Sequence, residues 1–558
     1  MEKERSPTFI YSNQLAHPIE RVAAEITLPN DGRIPDSVTA KLLVTRAGSP
    51  VQVDAEKWTG SDWTVGSTRR VVLSYDAIGD STGLYSYSIQ VGRWYGTTLE
   101  SNSVASDLVV VNRSTSPFGA GWWLAGLERI ISLPGNKWLW IGGDGSTRLF
   151  ANTSVNLWVA GNVDRRERLE YDGTYYCRRL LHHACVLFNA QGQHVQTRNR
   201  LGEVIPTLDR TNFVYAGNLL TSIQLPVPSG TLNYTFAYDT VSGKPRLLRV
   251  TAPPRGATTR VTTATITSGQ LLSLTYNAHP PVQFGYDGTL LNRILSVTSP
   301  RGAIEKYSFG ALNTLASASL GLGPLATDTI RYTFSPAEIK GIGGSGNRAV
   351  THGSATTKYD GPRTDVADTQ NFWLDRFGEP TIVRDALGNE TVLTRADPNY
   401  PALVTQVHLA NGGISTAIYD TVGHVMTSTA VNPLGDGLNA TTTNTWNMKF
   451  DFVATTTSPT GLLTTFGYDT LTGNRIWQYP GTDPARKVLF QYGNTLLQLS
   501  STQLPGYLIT DRDSVIYGAL GNAIVTRSPK SFVDSLYENS IGEDTLTSAP
   551  IKFLATDT

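Results

Sequence analysis

The feature that most restricts this chain is a phrase it repeats: an aromatic residue, usually followed by aspartate, then a turn with glycine, then an alternating strand. Copies stand at Tyr238-Asp239, Tyr286-Asp287, Leu374-Asp375, Tyr419-Asp420 and Tyr468-Asp469. Their aspartates lie 48, 88, 45 and 49 residues apart, and the 88 reads as two steps. Weaker copies at Tyr215-Ala216-Gly217-Asn218, Asp385-Ala386-Leu387-Gly388-Asn389 and Tyr492-Gly493-Asn494 halve the period, leaving room for one two-stranded hairpin. In such a unit the aspartate caps a tight turn by accepting backbone N–H bonds, the glycine takes the positive-φ position and the aromatic packs on the neighbouring hairpin. One hairpin is marginal in water, so the array holds only if successive hairpins join into a continuous sheet.

The N-terminal part carries a different signature. β-Branched and aromatic runs at 42–45, 70–75, 85–91 and 108–111 alternate with turn clusters such as Asn30-Asp31-Gly32 and Ala47-Gly48-Ser49-Pro50. That spacing predicts a β-sandwich over residues 20–112, immunoglobulin-like or fibronectin-like but without a Cys…Trp…Cys pattern, after an extension at 1–19. Residues 113–164 then gather Trp122, Trp123, Trp138, Trp140 and Trp158, five of the eleven tryptophans. Rings at that density fill a core or plug a cavity mouth; a sugar-stacking platform is the sharper alternative. No dozen residues place apolar side chains at i, i+3, i+4 and i+7 without an interrupting Gly or Pro, so the chain reads as all-β throughout.

Charge narrows the partners. Lys+Arg and Asp+Glu are both 46, so no net field gathers phosphate, and nucleic acid is excluded as a partner. No apolar run approaches the ~18 residues that span a bilayer as a helix, and the start, Met1-Glu2-Lys3-Glu4-Arg5, is too charged for a signal core, which places any export address outside this segment. Two cysteines in 558 residues exclude a disulfide scaffold.

The repeats resemble those of the Rhs or YD-repeat family, which includes shells of bacterial polymorphic toxins, toxin-complex C components and the animal teneurins. The resemblance covers roughly residues 113–540. It is sharpened by Ser116-Pro117-Phe118-Gly119-Ala120-Gly121-Trp122-Trp123 with Gly143-Asp144-Gly145-Ser146, similar to the segment that opens many such shells. Leu187-Phe188-Asn189-Ala190-Gln191-Gly192 is similar to a first repeat. The resemblance implies that the N-terminal β-sandwich is followed by a spiralling β-hairpin shell over 165–540, with 113–164 as its plug, and the residues at 541–558 read as a last strand or stub. Phe118, Trp122, Trp123, Trp138 and Trp140 would pack the plug. It also implies a non-enzymatic container for a polypeptide, commonly a cytotoxic C-terminal region, in a secreted or cell-surface protein of a bacterium. The rival reading is a teneurin-like adhesion module that binds a receptor or glycan; a second is a carbohydrate-active enzyme on a β-repeat. Toxin-type shells close with a core rich in Asp-Pro-x-Gly, whereas Asp397-Pro398-Asn399-Tyr400 and Asp483-Pro484-Ala485-Arg486 both lack the glycine, so self-cleavage is not assigned.

No other motif carries chemistry. Gly341-Ile342-Gly343-Gly344-Ser345-Gly346 satisfies G-x-G-x-x-G but precedes a Thr/Gly-rich stretch rather than a helix, and reads as a loop, so no cofactor is expected. Cys177, His182, His183 and Cys185 are crowded into nine residues, where a zinc site wants two separated pairs. In the alignment the resemblance implies, 181–184 is a hairpin turn. Cys177 then lies across from Cys185, giving a cross-strand disulfide or two inert thiols, with the histidines exposed. No catalytic residue and no metal site is assigned. The sequons at Asn112, Asn152, Asn233, Asn389 and Asn439 are as many as this Thr- and Ser-rich text produces by chance.

Overall fold

The computed structural model describes residues 7–161, 167–204, 210–227, 230–255, 258–310, 315–321, 330–335, 355–361, 365–366, 368–375, 379–432, 438–493, 497–506, 513–517, 523–527, 533–538 and 544–548. The protein is all-β: an N-terminal sandwich, then one long antiparallel wall. In the sandwich a four-stranded sheet, ordered Ser49–Thr59, Ser37–Arg46, Gly83–Tyr95, Thr98–Val110, faces the pair Ile19–Thr27 and Thr68–Asp76. Alternation builds its core, because Val38, Ala40, Leu42 and Val44 are wholly buried at every second position of one strand. They meet Val22, Ile26, Val71 and Leu73 from the facing pair, with Trp58 and Trp63 buried in the same cluster. Each buried Val or Leu contributes about 1.5–3 kcal/mol.

The described part of the extension is tied down. Phe9–Tyr11 pairs with Trp122–Leu124 as a two-stranded sheet of its own.

From Arg129–Leu133 to Asp544–Ser548, thirty-six described strands pair in strict chain order. Pairing therefore begins inside the Trp-rich segment, not after it. The first eight strands, ending at His194–Arg198, close into a ring through the bridge Arg129↔Gln193 and the bond from Ile130 N–H to the Gly192 carbonyl, 3.0 Å. Eight strands enclose a space just wide enough for side chains to fill. Ile130, Trp138, Trp140, Phe150, Trp158, Leu169, Val186 and Phe188 fill this one.

Beyond the ring the wall spirals. His182 Nδ1 lies 3.3 Å from the Phe450 carbonyl oxygen, 268 residues on, and Arg200 donates to Asn474 Oδ1 at 2.9 Å, 274 residues on. Twenty-one described strands separate the partners in both cases, so one circuit takes twenty-one described strands. At roughly 4.8 Å per strand the circuit is about 100 Å round and about 32 Å across. Past residue 300 the described buried side chains, glycines aside, reduce to Ile382, Tyr400, His424, Phe450, Asn474 and Ser501. Among the described residues that stretch is a single layer with no core cluster behind it.

Gly192 sits at φ +76°, and a Cβ there would stand 1.9 Å from the Ile130 carbonyl oxygen. Gly192→Ala is expected to cost about 2 kcal/mol or more by prising open the ring. Gly388→Ala, at φ +86° with open space around it, should cost about 1 kcal/mol. Urea midpoints followed by tryptophan fluorescence compare the two.

Candidate functional site: the repeat clamp and the plugged wall

In the repeat, the tyrosine sits where the strand register slips by one residue. Bulges occur between Val214/Tyr215, Ala237/Tyr238, Gly285/Tyr286, Ile418/Tyr419, Gly467/Tyr468, Gln491/Tyr492 and Ile516/Tyr517. A bulge twists its strand and re-aims the side chain. The ring is thereby laid across the preceding hairpin, and its hydroxyl donates to a backbone carbonyl there. Tyr215 reaches His194 at 3.0 Å, Tyr238 Leu220 at 2.8 Å, Tyr286 Leu271 at 2.9 Å and Tyr419 Val404 at 2.7 Å. Tyr468 reaches Val453 at 2.8 Å, Tyr492 Arg475 at 2.9 Å and Tyr517 Leu499 at 2.7 Å. Burial raises these phenols, Tyr286 to about 12, so the hydroxyl stays a donor at any physiological pH.

The aspartates cap the turns that follow. Asp287 accepts from Thr289 N–H at 3.0 Å, Asp375 from Glu379 N–H at 3.0 Å and Asp469 from Thr472 N–H at 2.6 Å. Asp420 accepts from the N–H groups of Val422 and His424, each at 2.9 Å, and its other oxygen meets His424 Nδ1 at 2.9 Å. Asp239 departs from the pattern. Its strand runs on to a two-residue turn at Ser242-Gly243, both at positive φ, and the carboxylate pairs across the strands with Arg246 at 2.7 and 2.8 Å. The Thr472 N–H first, then its hydroxyl, hold Asp469 below the usual carboxylate range.

The tryptophans divide into two groups. Trp138, Trp140 and Trp158 lie inside the eight-stranded ring, Trp138 against Tyr176 at 4.5 Å. Arg178 lies 3.7 Å over Trp140 and pairs with Glu167 at 2.9 Å and Glu128 at 3.2 Å, while Trp140 Nε1 donates to Glu128 at 2.7 Å. Beside them His194, wholly enclosed, accepts from Glu128 N–H at 3.3 Å, and burial pushes its imidazole down to about 3. The second group, Phe118, Trp122 and Trp123, covers the face formed by Leu220, Phe236, Leu247 and Leu271. Trp122 donates to the Tyr286 hydroxyl at 2.9 Å and meets Phe284 edge to face at 4.7 Å. His194 packs on Phe213 at 4.1 Å, so this covered face continues the interior of the ring. The Trp segment therefore lines the inside of the wall. Trp122, Trp138, Trp140 and Trp158 are each 6–7% exposed, too little for those four rings to stack on a sugar, while Trp123 is half-buried.

Cys177 and Cys185 form a disulfide on the other face of the ring, beside Leu187. They are diagonal rather than opposite, since Cys177 faces Leu187 and Cys185 faces Arg179. The histidines between them are not simply exposed turn residues. His182 stacks on Phe452 at 4.9 Å and His183 meets Phe450 at 5.7 Å, both on the second pass of the wall. A cleft of about 320 Å³ follows that seam, lined by Glu167, Arg179, His183, His424, Lys449 and Asp451. The 341–346 loop lies outside the described residues. Asp397 and Asp483 cap turns, accepting from Asn399 N–H at 2.8 Å and Ala485 N–H at 2.9 Å. Sequence reasoning missed the hydroxyl clamp, the Glu128–Arg178–Glu167 group and His424, which also meets Asp451 at 3.1 Å. For His424 a signal existed: it stands four residues after Asp420, where Asn389 follows Asp385.

No family model matches the chain, and no curated protein matches it. Among solved structures it is similar to the TcdB2-TccC3-TEV chain, at TM-score 0.44 and 10% identity over 86% of this chain and 26% of that one. TcdB2-TccC3 scores 0.43 at 11% identity, over 86% of this chain and 27% of that one. The Photorhabdus luminescens Tc holotoxin pore scores 0.32 at 11% identity, over 87% of this chain and 32% of that one. The chain thus spans between a quarter and a third of those chains.

Tyr468→Phe removes only the hydroxyl bonded to Val453 and is expected to lower stability by about 1 kcal/mol, read as a shifted denaturation midpoint. The depressed turn aspartates Asp420 and Asp469 give the pH dependence its sign. Their stabilisation is present above the unfolded carboxylate pKa of about 3.9 and is lost as pH falls through the lower folded values. Asp469→Asn should flatten the acid slope of the unfolding midpoint.

Proposed function

We propose that this chain is the wall of a hollow, non-enzymatic container that holds another polypeptide away from solvent. The observation that carries the reading is the single-layered spiral with a circuit of twenty-one described strands. A sheet that circles so widely, with no core behind much of it, encloses more space than its own side chains fill. The Rhs-type resemblance supplies the class of passenger, a toxic polypeptide region. Supporting the same reading, pairing strand to strand satisfies the backbone of the wall, leaving few edges through which an unfolded passenger could add to it.

The inner face is plugged where Phe118, Trp122 and Trp123 cover it, next to a ring already filled by Trp138, Trp140 and Arg178. In this reading the filled ring is the shut end and the passenger occupies the space beyond the plug. The Cys177–Cys185 disulfide favours an exported protein, since oxidising compartments are where such bonds persist.

Small-angle scattering from the chain is expected to give the pair-distance distribution of a hollow body about 30–40 Å across its wall. A distribution fitted by a solid rod, with no central deficit of mass, would overturn the container. A disordered polypeptide fused after the last residue should resist protease at least tenfold longer than the same polypeptide free in solution; equal lifetimes would count against confinement.

A further inference from the structure

The wall pairs its strands in unbroken order, but the four-stranded sheet of the sandwich ends in a bare edge. Thr98–Val110 ends the four-stranded sheet, and no described strand pairs with its outer side. It runs thirteen residues against Gly83–Tyr95 without a register shift, and most of its residues are exposed. Proteins blunt such edges with Pro, Lys or bulges. This strand, Thr98-Leu99-Glu100-Ser101-Asn102-Ser103-Val104-Ala105-Ser106-Asp107-Leu108-Val109-Val110, has none of them. The opposite edge is protected: Ser49–Thr59 carries Pro50, lies beside a bulge at Leu42/Leu43, and its Asp54 accepts from Ser74 N–H at 2.8 Å.

The hairpin tells which backbone groups are free. Only Gly96 and Thr97 separate the paired residues Tyr95 and Thr98, so that pair is a hydrogen-bonded one, and the alternation follows from it. Even-numbered residues bond inward to Gly83–Tyr95. Leu99, Ser101, Ser103, Ala105 and Asp107 point their N–H and C=O outward.

We propose that Thr98–Val110 pairs antiparallel, about a two-fold axis, with the same strand of a second copy of this chain, joining two four-stranded sheets into one of eight. The row is complementary to itself. With Val104 opposite its twin, Ser103 bonds to Ala105, Ser101 meets Asp107, Leu99 meets Val109 and Glu100 meets Leu108, so no like charges face each other. Glu100 is neutralised within its own chain by Arg33 at 3.0 Å and Arg93 at 3.5 Å, and Asp107 accepts from Ser86 Oγ at 2.6 Å. Between these acids lie only small or uncharged residues, which allow close approach. Pairing covers Val104 and Leu99, which are 56% and 47% exposed in the single chain.

Sedimentation of the full chain over a range of concentrations is expected to show a reversible dimer. Ser103→Pro removes an outward N–H without touching the inward ladder, a place where an edge strand tolerates proline. It should raise the concentration of half-dimerisation at least tenfold while leaving the thermal midpoint unchanged. Val104→Cys probes the register, because residues in a non-hydrogen-bonded pair bring their side chains closest and the native cysteines are already joined. It should give a disulfide-linked dimer on oxidation, and none in the Ser103→Pro background. A single-chain mass at every concentration, a dimer unmoved by Ser103→Pro, or a dimer that Val104→Cys does not cross-link would each overturn the proposal.

Discussion

The backbone pairing of each hairpin with the next is the constraint on which the rest of this molecule depends. A single-layered sheet has no hydrophobic interior to hold it, so its curvature must be set within the layer. The bulged tyrosine does this. The slipped register bends the strand, and the hydroxyl then ties the bend to a carbonyl of the preceding hairpin, as Tyr468 is tied to Val453. Repeated along the wall, the same local bend accumulates into a spiral. The aspartate adds the second restraint by holding the turn that lets the chain reverse, and each is modest singly. A lone buried hydroxyl bond contributes on the order of 1 kcal/mol.

Much of this was legible before any coordinates. The Tyr-Asp dipeptides announced hairpins, their spacing announced an array, and Asp287, Asp420 and Asp469 stand at the turns as their neighbours in sequence suggest. What could not be read was geometry that depends on the next hairpin. Nothing in Tyr238 names Leu220 as the acceptor of its hydroxyl, and what sets Asp239 apart from Asp287 is only that its strand runs on to a later turn, since both carboxylates also meet an arginine, Arg246 and Arg293. The tryptophans show the same limit. Trp122 and Trp138 are close in sequence but belong to different spaces, one on the inner face of the wall and one inside the ring, because strands that begin at Arg129 already form part of the sheet. Composition records how many rings must be buried and is silent about how many cavities share them.

The ring also carries a dense polar cluster in its interior. Arg178 is satisfied by two glutamates and the face of Trp140, and His194 is kept neutral by its enclosure. Buried groups of this kind are tolerable only when every partner is in place. Since the unfolded imidazole takes up a proton below about pH 6.5 and the enclosed one does not until about 3, acid draws on the ring through His194 as well as through the turns.

The closure at Arg129 and Gln193 joins residues that are near neighbours along the chain by the standard of a wall that runs to Asp544–Ser548. Everything needed to complete that ring has left the ribosome while most of the spiral is still untranslated. Each later hairpin then finds a finished rim to add to, and the order of synthesis becomes the order of assembly.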